Sequence, residues 1–242
     1  MKDFSLQLFS VRDIPDLREQ LKAAAKAGYT GVEFCGYFGI PAAEMKTILS
    51  SLGLRPAGSH IGWDLLAKDL DGCVAYAAEL GLSSAACPCM DIQTAEDAAK
   101  AGVFLDKCAL KFQEAGIPFA YHNHAHEFFP VEGKFLLEYM MENAPHLGIE
   151  LDVYWAAFAG VDPIAFIQKH AGRFPLLHLK EIDAERKNVE LGKGILDFPE
   201  IARLGLAQGT RELIVEQEAY TLPLLESIRV DADYMKSLQI SE

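Results

Sequence analysis

Short apolar runs alternate with longer amphipathic ones along the chain, and the alternation repeats eight times. A short apolar run bounded by glycine or proline predicts a buried strand, and a 3.6-residue period predicts a helix. Strands are predicted at Ser5–Val11, Gly31–Cys35, Arg55–His60, Ser83–Cys89, Ile117–Tyr121 (continuing through His124), Gly148–Tyr154, Phe174–Lys180 and Glu212–Glu218. Helices are predicted at Pro15–Ala27, Pro41–Leu52, Asp64–Leu80, Thr94–Ala115, Gly133–Asn143, Pro163–His170, Pro199–Leu206 and Leu222–Leu238. Proline at several helix starts and Gly28, Gly53 and Gly81 just past three helix ends are the expected punctuation.

Regular strand-then-helix units imply parallel strands joined by right-handed crossovers. Eight such units in 242 residues match a closed (β/α)8 TIM barrel of the α/β class. An open doubly wound sheet would carry a glycine-rich first turn, and Ser10-Val-Arg-Asp-Ile-Pro15 offers none. No linker or break in composition interrupts the pattern, so residues 1–242 are expected to form a single domain.

Composition narrows the classes. Half of the residues are hydrophobic and 24% are charged, enough for a sizeable core. No apolar run reaches membrane-spanning length and the first residues do not read as a signal peptide, so a cytoplasmic protein is expected. Five cysteines are an odd number, and Cys35, Cys73 and Cys108 read as small buried hydrophobes of a reducing compartment. Cys87-Pro-Cys89 is too tightly spaced for a zinc knuckle. A net charge of −13 repels phosphate backbones and argues against a nucleic-acid partner.

The candidate chemistry centres on Tyr121-His-Asn-His-Ala-His-Glu127. If the strand runs through His124, period-2 geometry puts His122 and His124 on one face. Two buried imidazoles are costly unless something binds them; a hydrogen-bonded core pair is the blander reading. In a barrel the active site lies at the carboxyl ends of the strands, where Gln7, Glu33, His60, His122, His124, Asp152, His178, Lys180, Glu216 and Glu218 all fall. Asp152, His178 and Glu216 stand on three consecutive strands, and His122 is the natural fourth ligand of one divalent cation. Mixed carboxylate and imidazole donors do not choose among Mn2+, Zn2+, Co2+ and Mg2+. An ion pair of Glu216 with Lys180 is the competing reading. Trp63, Tyr154, Trp155 and Phe158 are placed to stack on a substrate or to cover a contact in a homo-oligomer.

The succession Leu-Gln-Leu-Phe-Ser-Val-Arg, Gly-Val-Glu-Phe-Cys-Gly-Tyr, Tyr-His-Asn-His-x-x-Glu-Phe, Leu-Asp-Val-Tyr-Trp, Leu-His-Leu-Lys and Val-Glu-Gln-Glu resembles the xylose isomerase-like TIM-barrel superfamily, and within it the sugar phosphate isomerase/epimerase group with its inosose isomerases and dehydratases. The resemblance implies one divalent metal held by Asp152, His178 and Glu216, with His122 standing where many relatives carry Glu. It also implies a catalytic role for His124. The exchange removes one of two opposed carboxylate bases, for which Glu127, Glu33 and Glu150 are the candidate replacements.

These readings point to a metal-dependent isomerase or epimerase of a sugar or keto-polyol working through an enediolate. Glu216, His124 and Lys180 are the expected catalytic groups. Gln7, Glu33, His60, Glu127 and Trp155 are the expected substrate contacts. The same residues would serve a dehydratase or lyase, such as one acting on inososes or keto-glycosides. An endonuclease IV-like phosphodiesterase needs more metal ligands and a basic face, and a non-catalytic binding subunit would not need the donors at all.

Overall fold

The computed structural model describes residues 3–37 and 39–238. Eight parallel strands form the barrel: β1 (Ser5–Gln7), β2 (Gly31–Phe34), β3 (Arg55–Ser59), β4 (Ala85–Cys87), β5 (Phe119–His122), β6 (Gly148–Asp152), β7 (Leu176–Leu179) and β8 (Glu212–Val215). Hydrogen bonding runs in the order β3-β2-β1-β8-β7-β6-β5-β4. The Ser83 N–H donates to Pro56 O (3.1 Å) and the Ile61 N–H to Ala86 O (2.8 Å), which draws β3 and β4 together and all but closes the ring. Helices follow the strands and bury their apolar faces against the outside of the sheet, as in any (β/α)8 barrel.

Inside the barrel the strands' period-2 alternation stacks residues in layers. Ala86, Ala120, Leu176 and Ile214 make a small apolar plug separate from the main core. Two residues further along the chain from Ala120, Leu176 and Ile214, at the carboxyl ends of β5 and β7 and just past β8, the side chains are His122, His178 and Glu216. The apolar plug therefore floors a polar chamber.

Local chemistry ends several strands earlier than their hydrophobic pattern does. β1 was expected to reach Val11, but Gln7 Oε1 accepts the Phe9 N–H (3.0 Å) and folds Leu8–Val11 into a 3-10 turn. β6 was expected to reach Tyr154, but Asp152 Oδ1 accepts the Trp155 N–H (3.0 Å) and caps a helix over Val153–Phe158. β5 stops at His122, so His124 lies in the following loop and not on the strand. The helix expected over Asp64–Leu80 is two, Trp63–Lys68 and Leu70–Leu80. Asp69 (φ −151°) breaks it and caps the second piece through the Gly72 N–H (2.9 Å). Cys35 is exposed, contrary to its sequence reading, whereas Cys73 and Cys108 are buried.

After β7 the chain forms a short hairpin, Glu181–Ile182 with Asn188–Val189, tied down by buried carboxylates. Glu181 accepts N–H groups of Ile182, Gly192 and Leu196 (3.1–3.2 Å). Glu190 accepts from Thr221 and Leu222 N–H and from the Ser227 hydroxyl. Asp231, on the last helix (Leu224–Ser237), accepts the Leu191 N–H at 2.7 Å. Among the described residues no helix is long and apolar enough to cross a membrane.

Candidate metal centre

His122, Asp152, His178 and Glu216 are all buried, and one donor atom from each lies within 4.8 Å of the other three. The atoms that face one another are His122 Nε2, Asp152 Oδ2, His178 Nδ1 and Glu216 Oε2, and none has a hydrogen-bond partner among the described residues. Four orphaned buried donors on one chamber would be costly without a shared partner. His122 Nε2 lies 3.5 Å from Asp152 Oδ2, and His178 Nδ1 lies 3.5 Å from Glu216 Oε2. Donors about 2.1 Å from a tetrahedral ion stand roughly 3.4 Å apart, so the spacing suits a cation such as Zn2+ or Mn2+.

Three of the four ligands have their other polar atom occupied, which fixes their orientation. Asp152 Oδ1 caps the Val153–Phe158 helix and leaves Oδ2 for the centre. His122 Nδ1 faces Pro88 O at 3.4 Å. His178 Nε2 meets Glu33 Oε2 at 2.7 Å, and Glu33 also accepts the Gln7 amide (2.7 Å). A ligating imidazole whose second nitrogen donates to a carboxylate or carbonyl is held in one tautomer with the first nitrogen free to bind. Asn123 ties the ends of β5 and β6 together: its Oδ1 accepts the Asp152 N–H (3.1 Å).

A second group, Glu33, His60, Glu150 and His178, also clusters within 4.8 Å. Its shortest pairs are His60 Nε2 with Glu150 Oε2 and His178 Nε2 with Glu33 Oε2, both at 2.7 Å. Those are hydrogen-bond lengths, so these side chains pair with one another directly, although Glu33 Oε1 and Glu150 Oε1 have no partner. Burial alone would raise the Glu150 carboxyl, but His178 and His60 hold it well below the usual range. Burial, and then the Glu150 charge, push Glu33 up. Gly58 makes room for this group, since a Cβ there would lie 2.6 Å from Glu33 Oε1.

The remaining sequence candidates divide by depth. Gln7 and Glu33, expected to hold substrate hydroxyls, are completely buried and bonded to each other and to His178. Glu127 is also fully buried; it accepts the Tyr121 hydroxyl (2.6 Å) and the His124 N–H (2.8 Å), so it holds the His124 loop. Glu33, Glu127 and Glu150, the candidate replacements for the missing carboxylate base, are all fully buried and held by neighbouring side chains. His60 faces the cavity, with its Nε2 on Glu150. Lys180 is buried 2.5 Å from Glu218, 3.6 Å from Glu216 and 3.9 Å from Asp152, beneath the rings of Tyr154 and Trp155 (4.8 and 4.7 Å). The competing ion pair of Glu216 with Lys180 therefore coexists with the donor cluster. Burial tends to raise Glu216, but Lys180 and His178 drive it well below the carboxylate range.

His124 packs against Trp155 (5.6 Å) and edge-on against His122 (4.9 Å). Burial first and His122 second push its pKa down to about 3, so the neutral ring persists at any working pH. The chamber opens through a cavity of about 650 Å3 whose walls include His60, His122, His124, Glu216 and Glu218. Asn123 and Glu150 are the structural members that sequence reading left without these roles; both sit within one or two residues of a ligand on the same strand end.

The chain is thus a parallel TIM barrel with two imidazoles and two carboxylates that could hold a metal gathered at its carboxyl end. The sequence signature of xylose isomerase-like TIM barrels matches residues 21–238, and the chain belongs to that family. A sugar phosphate isomerase/epimerase from Parabacteroides distasonis is 26% identical, with a TM-score of 0.86 over 100% of this chain and 96% of that one. The IolI protein, solved with a bound zinc atom, is 13% identical with a TM-score of 0.77, covering 98% of this chain and 97% of its own. A probable 3-DHS dehydratase, AsbF from Bacillus anthracis, is 13% identical with a TM-score of 0.75, covering 97% and 99%. No curated protein matches the sequence.

Proposed function

We propose that the protein is a divalent-metal-dependent isomerase acting on a sugar or keto-polyol, with Glu216 as the proton-transferring group. The observation that carries this reading is the set of four orphaned donors converging beneath an open cavity. A bound cation would supply positive charge beside a substrate carbonyl and so acidify the neighbouring C–H. His122, Asp152, His178 and Glu216 would hold it. Glu216 lines the cavity and is ionised at neutral pH, so its carboxylate is ready to accept that proton. Lys180 compensates the charge of Glu216 and Glu218 from below. Trp155 and Tyr154 shield the ammonium from water, which keeps the pair intact. His124, neutral throughout, serves as a hydrogen-bonding partner for substrate oxygen and not as a group that cycles its charge.

His122 in place of a carboxylate favours chemistry that one base can complete. A 1,2-proton shift removes and returns the proton on one face, whereas epimerisation needs a base on each face. The second reading, a dehydratase or lyase, rests on the same observation, because loss of a β-substituent also needs one base. A phosphodiesterase of the endonuclease IV kind is disfavoured by the −13 charge and by the hydrogen-bonded state of the second acidic cluster.

The test is turnover of a panel of aldoses, ketoses and inososes by Mn2+-loaded protein in D2O. A single-base isomerase gives product with part of the proton retained from substrate. Full deuterium incorporation with inversion at one carbon would establish epimerisation, and loss of water would establish the lyase.

A further inference from the structure

Resting on the metal-centre reading above, we propose that the substrate's polyol head carries an apolar aromatic or alkyl substituent and no phosphate. The cavity divides by origin. Its polar part comes from strand ends and holds the metal donors. Its other part comes from the loops after β1, β2 and β4: Phe9, Ile14, Pro15, Cys35, Pro88 and Cys89. None of these six side chains offers a strong hydrogen-bonding group, and Phe9 is 40% exposed. A single pyranose ring at the metal donors would leave most of 650 Å3 against this apolar wall. A hydroxylated sugar body gains little there, whereas an aryl or alkyl group removes apolar surface from water.

Beyond the metal donors, the cavity offers little to hold a phosphate. Among the described lining residues Arg12 is the one permanent cation. Its guanidinium donates to Phe9 O (2.9 Å) and to Glu218 O (2.8 Å) and stacks 4.3 Å from the centre of the Phe9 ring. Arg12 is thus engaged in propping Phe9 into the opening. Glu216 and Glu218 line the same space and repel a dianion. Lys180 is buried beneath Tyr154 and Trp155 in its ion pair.

Cys35 and Cys89 are the exposed thiols and both line this cavity, while Cys73, Cys87 and Cys108 are buried. Their alkylation therefore reports occupancy of the apolar part without relying on turnover. Mn2+-loaded protein would be treated with N-ethylmaleimide and mapped by peptide mass spectrometry. The probes are the phenyl glycosides of glucose, galactose and mannose, the free sugars, and the sugar 6-phosphates. At least one phenyl glycoside should protect both thiols at a concentration roughly tenfold below its free sugar. The 6-phosphates should protect no better than the free sugars. Phe9→Ser should shrink the phenyl advantage toward that of the free sugar. Best protection by a 6-phosphate, equal protection by phenyl and free sugars, no protection by any probe, or an undiminished phenyl advantage in Phe9→Ser would each overturn the proposal. Metal content is measured on the same samples. Loss of metal binding would sink the metal-centre reading, whereas metal retained without a phenyl preference would sink this proposal alone.

Discussion

In the proposed reading Glu216 is both ligand and base: its Oε2 faces the other three donors, and the residue lines the cavity. Glu216→Gln is therefore expected to abolish turnover and to weaken metal binding while the fold survives, as seen by circular dichroism and metal titration. Near-normal turnover would place the base elsewhere. Glu33→Gln tests the neighbouring group. It should loosen metal by about 10–100-fold, because the His178 ring loses its carboxyl anchor 2.7 Å away. Unchanged affinity would mean that β7 alone positions the ring. His124→Asn should keep metal affinity within a few-fold and lose roughly 10²–10³ in rate, the usual cost of removing one hydrogen-bonding group from developing charge. With a pKa of about 3, His124 contributes no ionisation to the rate profile between pH 5 and 9, so the substitution should scale that profile without moving its limbs. A displaced limb would show that the ring does change charge during turnover.

At the scale of single elements, sequence pattern located every barrel strand but misjudged where several stop. Hydrophobic alternation continues through Val11 and Tyr154, yet Gln7 and Asp152 cap the following turns with their own side chains and end β1 and β6 early. That competition is settled by tertiary position, which periodicity does not record. The donor cluster was legible because each member sits at the end of its own strand. The depth of Glu33, Glu127 and Glu150 was not, since a carboxylate aimed at a buried imidazole looks in sequence like one aimed at a substrate. The last helix offers its own test. Burial first, and then the Glu190 and Glu181 charges, raise Asp231 to about 7, whereas the unfolded carboxyl titrates near 3.8. The folded state then holds a proton that the unfolded state has lost, so stability falls as pH rises from about 4 to 7 and levels off above that. Asp231→Asn should flatten this decline, by an amount on the order of a few kcal/mol, in urea melts compared across that range. An identical slope in the variant would mean that Asp231 is ionised in the folded protein.

For the whole molecule, the β3-to-β4 closure and the apolar plug make a rigid vessel with its polar residues gathered at one end. The central question is whether one ion joins four strands there. Anomalous diffraction from crystals saturated with Mn2+ reads this directly. A single strong peak is expected within bonding distance of His122 Nε2, Asp152 Oδ2, His178 Nδ1 and Glu216 Oε2, with Glu33 still on His178 Nε2. A peak among Glu33, His60 and Glu150, or no peak near any of these side chains, would contradict it.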